Sequence, residues 1–278
     1  MTQTDLIQRL TVDLPITAGS FIVTVYGDVV VPRGEVLWIG SLIAICARIG
    51  ISENLVRTAV SRLVAAGRLE GERVGRRSFY RLAPAARAEF AEAARLLYAR
   101  NQPSGDWLVL LDPHLPEDLA RRHRMARIGG DLWLCPARND LPPTGGLVLR
   151  ATTVAGTDQL PQLARFWDLD TLAARYRDVL DRFTPLAGVV PAITPEDALI
   201  ARLLLVHLYR GVLLRDPGLP AAALPPDWPG TEAQALFRNL YPALTPLAEA
   251  HVAKVMEGDD GPLAETTPRS QARLQALA

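Results

Sequence analysis

Residues 35–48 (EVLWIGSLIAICAR) carry apolar side chains at positions 38, 39, 42, 43, 45 and 46, a spacing that predicts a helix with one face toward a core. Gly50 breaks that run. Ser52 is placed to cap a second helix, ENLVRTAVSRLVAA, which runs to Gly67, a residue suited to the left-handed position that ends helices. In this second helix Leu55, Ala59 and Leu63, with Val56 and Val60 beside them, are expected to face the core. Asn54, Arg57, Thr58, Ser61 and Arg62 then share the opposite face. Two helices joined by a short glycine-containing turn make a helix-turn-helix. Residues 68–74 and 77–82 alternate around Gly75-Arg76, which predicts two short strands with an arginine-rich tip, a wing. The preceding stretch, SFIVTVYGDVV (20–30), is β-branched and by pattern favours a strand, whereas a winged helix needs it helical.

Downstream, the pattern predicts strands at 107–111, 132–135 and 147–151 and helices at about 116–128 and 158–166, an order that suggests a small ferredoxin-like α+β sandwich. The next stretch is mainly helical, at 171–183, 195–214 and 231–256. Proline and glycine mark the seams. The expected domains are 17–98, 105–167 and 168–256, with a linker at 101–105 and a polar, weakly ordered tail at 258–278.

With 278 residues, 49% of them hydrophobic and 22% charged, the chain can bury a sizeable core. No apolar run is long enough for a membrane span, and the opening MTQTDLIQRL lacks the basic and apolar regions of an export signal, so a cytoplasmic location is expected. Cys46 and Cys135 lie in apolar contexts without metal-ligand spacing, and read as reduced core thiols. Net charge is zero, yet from Arg48 to Arg81 eight arginines (48, 57, 62, 68, 73, 76, 77 and 81) face only Glu53, Glu70 and Glu72. A local excess of five positive charges within a neutral chain is the footprint of a DNA-binding module. Candidate DNA contacts are Asn54, Arg57, Thr58, Ser61 and Arg62 on the second helix, and Arg73, Arg76 and Arg77 on the wing.

No catalytic constellation stands out. His114, His123, His207 and His251 are scattered, no metal site is indicated, and no nucleophile-elbow, zincin, dinucleotide or Walker motif occurs. Asp112, after a strand, is imaginable as a nuclease carboxylate, although an aspartate followed by proline is more often a turn former. Arg121-Arg122-His123-Arg124 reads as a solvated helix face. In LIARLLLVHLYRGVLLRDP, polar groups interrupt an apolar helix and need partners. There a structural hydrogen-bond network and a ligand-contacting role weigh about evenly.

Three blocks, SFIVTVYGDVVVPRGEVLWIGSLIAICARIGISENLVRTAVSRLVAAGRLEGERVGRRSFYRL, RFWDLDTLAARYRDVLDRFTPL and EDALIARLLLVHLYRGVLLRDPGLPAAALPPDWPG, resemble in order the PaaX family of phenylacetate-catabolism repressors. The resemblance implies an α+β chain: an N-terminal winged helix-turn-helix with 20–30 helical, a middle domain similar to the Cas2 fold, and a C-terminal helical domain. It also implies a homodimer on palindromic double-stranded operator DNA, no cofactor, and release by a CoA thioester such as phenylacetyl-CoA. Candidate ligand contacts are Arg202, His207, Tyr209, Arg210, Arg215 and Trp228. The chain departs from the family between Pro136 and Gly146, where a short loop replaces a longer helical passage and a different dimer surface or effector specificity is expected. A metal-dependent nuclease using the middle domain, and a regulator of the same build on another pathway, are the alternatives.

Overall fold

The computed structural model of the chain describes residues 3–99, 105–112, 114–138 and 145–277. Residues 101–104 of the expected linker and 139–144 of the short loop lie outside them. In chain order the elements are α1 (Gln3–Thr11), α2 (Ala18–Val25), β1 (Val36–Trp38), α3 (Ile39–Ala47), α4 (Glu53–Ala65), β2 (Leu69–Val74), β3 (Arg77–Leu82) and α5 (Arg87–Tyr98). Then follow β4 (Trp107–Leu111), α6 (Glu117–Arg122), β5 (Ala126–Gly129), β6 (Leu132–Pro136), β7 (Leu147–Ala151), α7 (Leu169–Phe183) and α8 (Pro195–Leu213). α9 (Gly230–Val255), β8 (Glu257–Gly258), β9 (Gly261–Pro262) and α10 (Pro268–Leu277) complete a mixed, α+β chain. None of the helices among the described residues is long and apolar enough to cross a membrane.

The chain forms two compact units, one of Met1–Arg100, Val179–Arg210 and Glu232–Ala278, the other of Asn101–Asp178 and Gly211–Thr231. This differs from the expected division at 17–98, 105–167 and 168–256. The segments 179–210 and 232–278 belong to the same unit as the N-terminal hundred residues, and the reason is physical. α8 is apolar almost all round, with Ala198 to Val206 buried, so it needs partners on every side rather than on one face.

In the first unit α2, α3 and α4 pack on one another, and α2 is helical despite its β-branched sequence. Phe21, Ile22, Val25, Tyr26, Val29 and Val30 are all buried, and burial at ~1.5–3 kcal/mol per large apolar side chain outweighs the few tenths by which β-branching disfavours a helix. Residues 26–30 continue α2 as a π-helical turn. A three-stranded antiparallel sheet in the order β1-β3-β2 follows, with Val74 paired to Arg77 across Gly75-Arg76. Gly75 alone has positive φ (60°) in that turn, the type II′ requirement.

Around the π turn lies a buried charge cluster. Asp28, on the π turn, accepts from the hydroxyls of Tyr98 (2.9 Å) and Tyr241 (2.8 Å), and its other oxygen lies 3.1 Å from Arg202 Nε. Arg202 Nη1 donates to Glu249 Oε1 at 2.5 Å, and Glu249 also pairs with Arg33. Two carboxylates thus face two guanidinium groups from α8 and the turn after the π segment. Burial and the neighbouring Arg202 lower the Arg33 pKa to about 10, which leaves it charged at neutral pH.

The segment expected as a loose tail at 258–278 is instead ordered in the hairpin β8–β9 and in α10. Arg273 donates to the carbonyls of Gly27 and Asp28 (both 2.9 Å), which the π turn leaves open, and Arg33 donates to those of Ala264 (2.7 Å) and Glu265 (3.0 Å). Arg273 thus serves partly buried backbone, while Asp259, Asp260, Glu265 and Arg269 are exposed.

The second unit contains an antiparallel sheet ordered β5-β6-β4-β7, matching the expected strands at 107–111, 132–135 and 147–151 closely. The expected helix at 116–128 ends at Arg122. Arg124, at φ 56°, turns the chain into β5, and Met125 joins the core with Leu108, Leu110, Trp133 and Cys135. Residues 157–166 form a 3₁₀ rather than an α helix, with Pro161 inside it. On the opposite sheet face Trp107 and Leu134 are buried, whereas Leu111, Leu132, Leu147 and Leu149, toward its other end, are exposed.

Candidate nucleic-acid interface

α4 begins at Ser52, which sits in extended conformation at the cap position without a side-chain hydrogen bond, and ends in a Schellman motif. Gly67 N–H donates to Val64 O and Arg68 N–H to Leu63 O, both at 2.9 Å, with Gly67 at φ 65°. Val56, Ala59 and Val60 hold the helix to its core, while Asn54, Arg57, Thr58, Ser61 and Arg62 are all exposed. Leu55 departs from expectation, being 56% exposed rather than in the core. It lies on the flank of the apolar stripe, one step from Val56, and joins the polar face. The signal for it was that Val56, Ala59, Val60 and Leu63 already complete a helix-wide stripe without Leu55.

Five of the eight arginines counted between 48 and 81 are committed to carboxylates. Arg48 pairs with Glu196 (3.2 Å) and Asp197 (2.9 Å), Arg57 with Glu53 (2.7 Å), Arg68 with Glu89, Arg77 with Glu257, and Arg81 with Asp259 (3.0 Å). Arg77 also stacks on Trp38, its guanidinium carbon 4.6 Å from the ring centroid. Arg73 Nε donates to Gly75 O at 3.2 Å. Arg62 and Arg76 are exposed, with no ion pair among the described residues. The local excess of positive charge is therefore largely neutralised from elsewhere in the chain, and among the described residues the arginines left without an ion pair are Arg62 on α4 and Arg73 and Arg76 on the wing.

The residues expected to contact a ligand fall in both units. Arg202 is fully buried and holds Asp28 and Glu249. His207 Nδ1 lies 2.9 Å from Thr24 Oγ1, its ring is edge-on to Phe21, and burial, reinforced by nearby Arg210, lowers its pKa to about 4. Arg210 donates to Ser20 O and Thr24 Oγ1, and Tyr209 stacks on Phe237 at 4.5 Å. All four serve packing within the first unit. In the second unit Arg215 donates to Gly211 O, and Trp228 packs edge-on against Tyr176 at 5.7 Å. Here Asp216 accepts from Tyr176 OH and Gly218 N–H (both 2.7 Å), anchoring the proline-rich loop. Burial raises its pKa.

Asp112 accepts from His114 N–H at 2.9 Å, the geometry of a turn former. Arg121 and Arg122 are exposed, Arg122 pairing with Asp118 at 2.7 Å. Burial pushes the Cys46 thiol up to about 12, so it is a packing residue. A cleft of about 810 Å³ adjoins the α3–α4 turn, lined among others by Ile7, Arg48, Gly50, Asp197, His251 and Lys254.

A family model described as PaaX-like protein matches residues 17–86, and one described as PaaX-like protein C-terminal domain matches 167–254. The transcriptional repressor PaaX of Escherichia coli (strain K12) is 31% identical over 284 residues, covering 92% of this chain and 90% of that protein. The structure of the uncharacterized protein Rv0674 from Mycobacterium tuberculosis overlays with a TM-score of 0.46 at 24% identity, over 76% of this chain and 89% of that one.

Proposed function

The chain belongs to the PaaX family, and from that premise we propose that it is a transcriptional repressor, not an enzyme, whose winged helix-turn-helix binds operator DNA. The observation that carries the reading is the exposed face of α4, with Asn54, Thr58, Ser61 and Arg62 side by side, and the exposed Arg76 at the hairpin tip, which makes no ion pair among the described residues. A helix of that exposure fits the major groove, where Arg62 can fork onto a guanine edge, Asn54 can pair with adenine, and Leu55 can meet a thymine methyl. Arg76, with Arg73 behind it, suits phosphates or the minor groove.

In this reading the protein acts as a cytoplasmic homodimer on two half-sites related by a two-fold axis. The exposed leucines of the β4–β7 sheet face support self-association, since apolar surface of this kind is commonly covered by a partner. The regulated genes belong to aromatic-acid catabolism, and an aryl-acyl-CoA such as phenylacetyl-CoA releases the operator. Arg202, His207, Tyr209 and Arg210 are occupied internally, so the cleft at the α3–α4 turn is the better place for an effector to act on α4. Footprinting of the full chain on DNA flanking its own gene, with and without phenylacetyl-CoA, tests the proposal. Protection of two symmetric elements, lost with the thioester, is expected. Absence of protection overturns the repressor reading, and protection indifferent to the thioester removes the effector.

A further inference from the structure

The hairpin β8–β9 brings acidic side chains to the wing. After α9 the chain turns back beside β1, and Glu257 N–H donates to the buried Ser41 Oγ on α3 at 3.1 Å. Met256 and Leu263 are buried at its base, where Leu263 N–H donates to Met256 O at 2.8 Å. Gly258 is buried against β1, where an added Cβ would touch the carbonyl oxygen of Val36 at 3.4 Å. The hairpin is thus seated, and the α10 anchors at Arg33 and Arg273 fix the chain that follows it.

This seating aims Glu257 and Asp259 at the sheet face that carries Arg77 and Arg81. Those arginines alternate with Phe79 along β3, Arg77 pairing with Glu257 and Arg81 with Asp259 at 3.0 Å. Each of the four side chains keeps between a third and about half of its surface exposed, so the pairs are open to exchange with an incoming anion. Asp260, next to Asp259 in the hairpin turn, is exposed and makes no ion pair among the described residues.

We propose that Glu257 and Asp259 act as an intramolecular counterpart of the DNA backbone, occupying Arg77 and Arg81 in competition with duplex phosphates and so limiting the sequence-independent affinity of the wing. The inference rests on the DNA-binding reading above. A phosphate offers the same forked, anionic acceptor geometry as a carboxylate, so either can satisfy an arginine. With the carboxylates in place, each phosphate contact must be made by displacing an existing partner. Among the described residues, Arg73 and Arg76 on the wing and Arg62 on α4 have no carboxylate to displace.

The test measures binding of the full chain to a generic 30-base-pair duplex over a range of KCl concentrations. Glu257→Gln with Asp259→Asn keeps the shape of both side chains and the backbone contacts of the hairpin. Affinity is expected to rise about 2- to 30-fold, the range for releasing two exposed ion pairs. Asp259→Asn alone is expected to raise affinity more than Asp260→Asn, although the two remove the same charge from adjacent positions. Equal effects of these two single variants would reduce the hairpin to a diffuse field and overturn the proposal, as would no effect from the double variant. A full chain that binds no duplex even at ~50 mM salt would instead remove the DNA-binding reading itself.

Discussion

Replacing Asp28 by Asn isolates the charge of the buried cluster from its shape. The amide has nearly the same volume, opens no cavity, and keeps an oxygen to accept from Tyr98 and Tyr241, so the change removes chiefly the negative charge 3.1 Å from Arg202 Nε. Both side chains are fully shielded from water. At that separation and an effective dielectric constant near 20, the lost attraction is about 5 kcal/mol, and breaking buried pairs by removing one partner is measured at about 3–5 kcal/mol. Two guanidinium groups would then share only Glu249. Because domains are stable by only about 5–15 kcal/mol, Asp28→Asn should bring the first unit close to its unfolding limit. Urea unfolding of the full chain, followed by circular dichroism, measures the loss. Adding Arg202→Met, which removes the stranded cation as well, should recover much of it and give a coupling energy well above zero. A loss under about 1 kcal/mol, or a double variant whose effects simply add, would refute the assignment of the cluster as a single electrostatic unit.

Other predictions follow from local geometry. Arg62→Ala should weaken operator binding by ~1–3 kcal/mol if the side chain reads a guanine, whereas Arg76→Ala should weaken specific and generic duplex alike and lower the salt slope by ~0.9. Equal effects on operator and generic DNA from Arg62→Ala would move it among the phosphate contacts. His207, held at about 4 by burial, binds fewer protons folded than unfolded. Stability should therefore be intact above the unfolded value near 6.5 and fall as pH drops from there toward 4, by at most about 3 kcal/mol from this group. Chemical denaturation of His207→Gln across that window should show a shallower decline than the parent chain. Gly67→Ala, forcing a Cβ at φ 65°, should cost about 1 kcal/mol or more in thermal unfolding, and an unchanged melting temperature would mean that the Schellman end of α4 relaxes freely.

What the sequence made legible was local. The period of 53–65, the glycine at 67 and the Gly75-Arg76 turn each act over a few residues, and each appears in the structure as its pattern implies. Leu55 shows the limit of periodicity, because an apolar residue at the edge of a stripe satisfies both a buried and an exposed reading, and only the shape of the opposing surface decides. Charge was harder for a stronger reason. Counting arginines from 48 to 81 treats the segment as if its partners were nearby, yet Glu89 lies 21 residues from Arg68, Asp197 149 residues from Arg48, and Glu257 180 residues from Arg77. The same distance hid Arg202, whose partners Asp28 and Glu249 come from opposite ends of the chain. An arginine with aromatic neighbours reads as a ligand contact when its carboxylates are out of view. The C-terminal segment follows the same logic, since a polar stretch with few apolar residues has no core of its own. Its arginines and carbonyls nevertheless satisfy groups that the π turn and Arg33 leave open, so its order is borrowed from positions more than two hundred residues earlier. Deleting it would therefore expose both those backbone groups and the wing arginines, which joins the stability of α2 and the DNA affinity of the wing in one short segment.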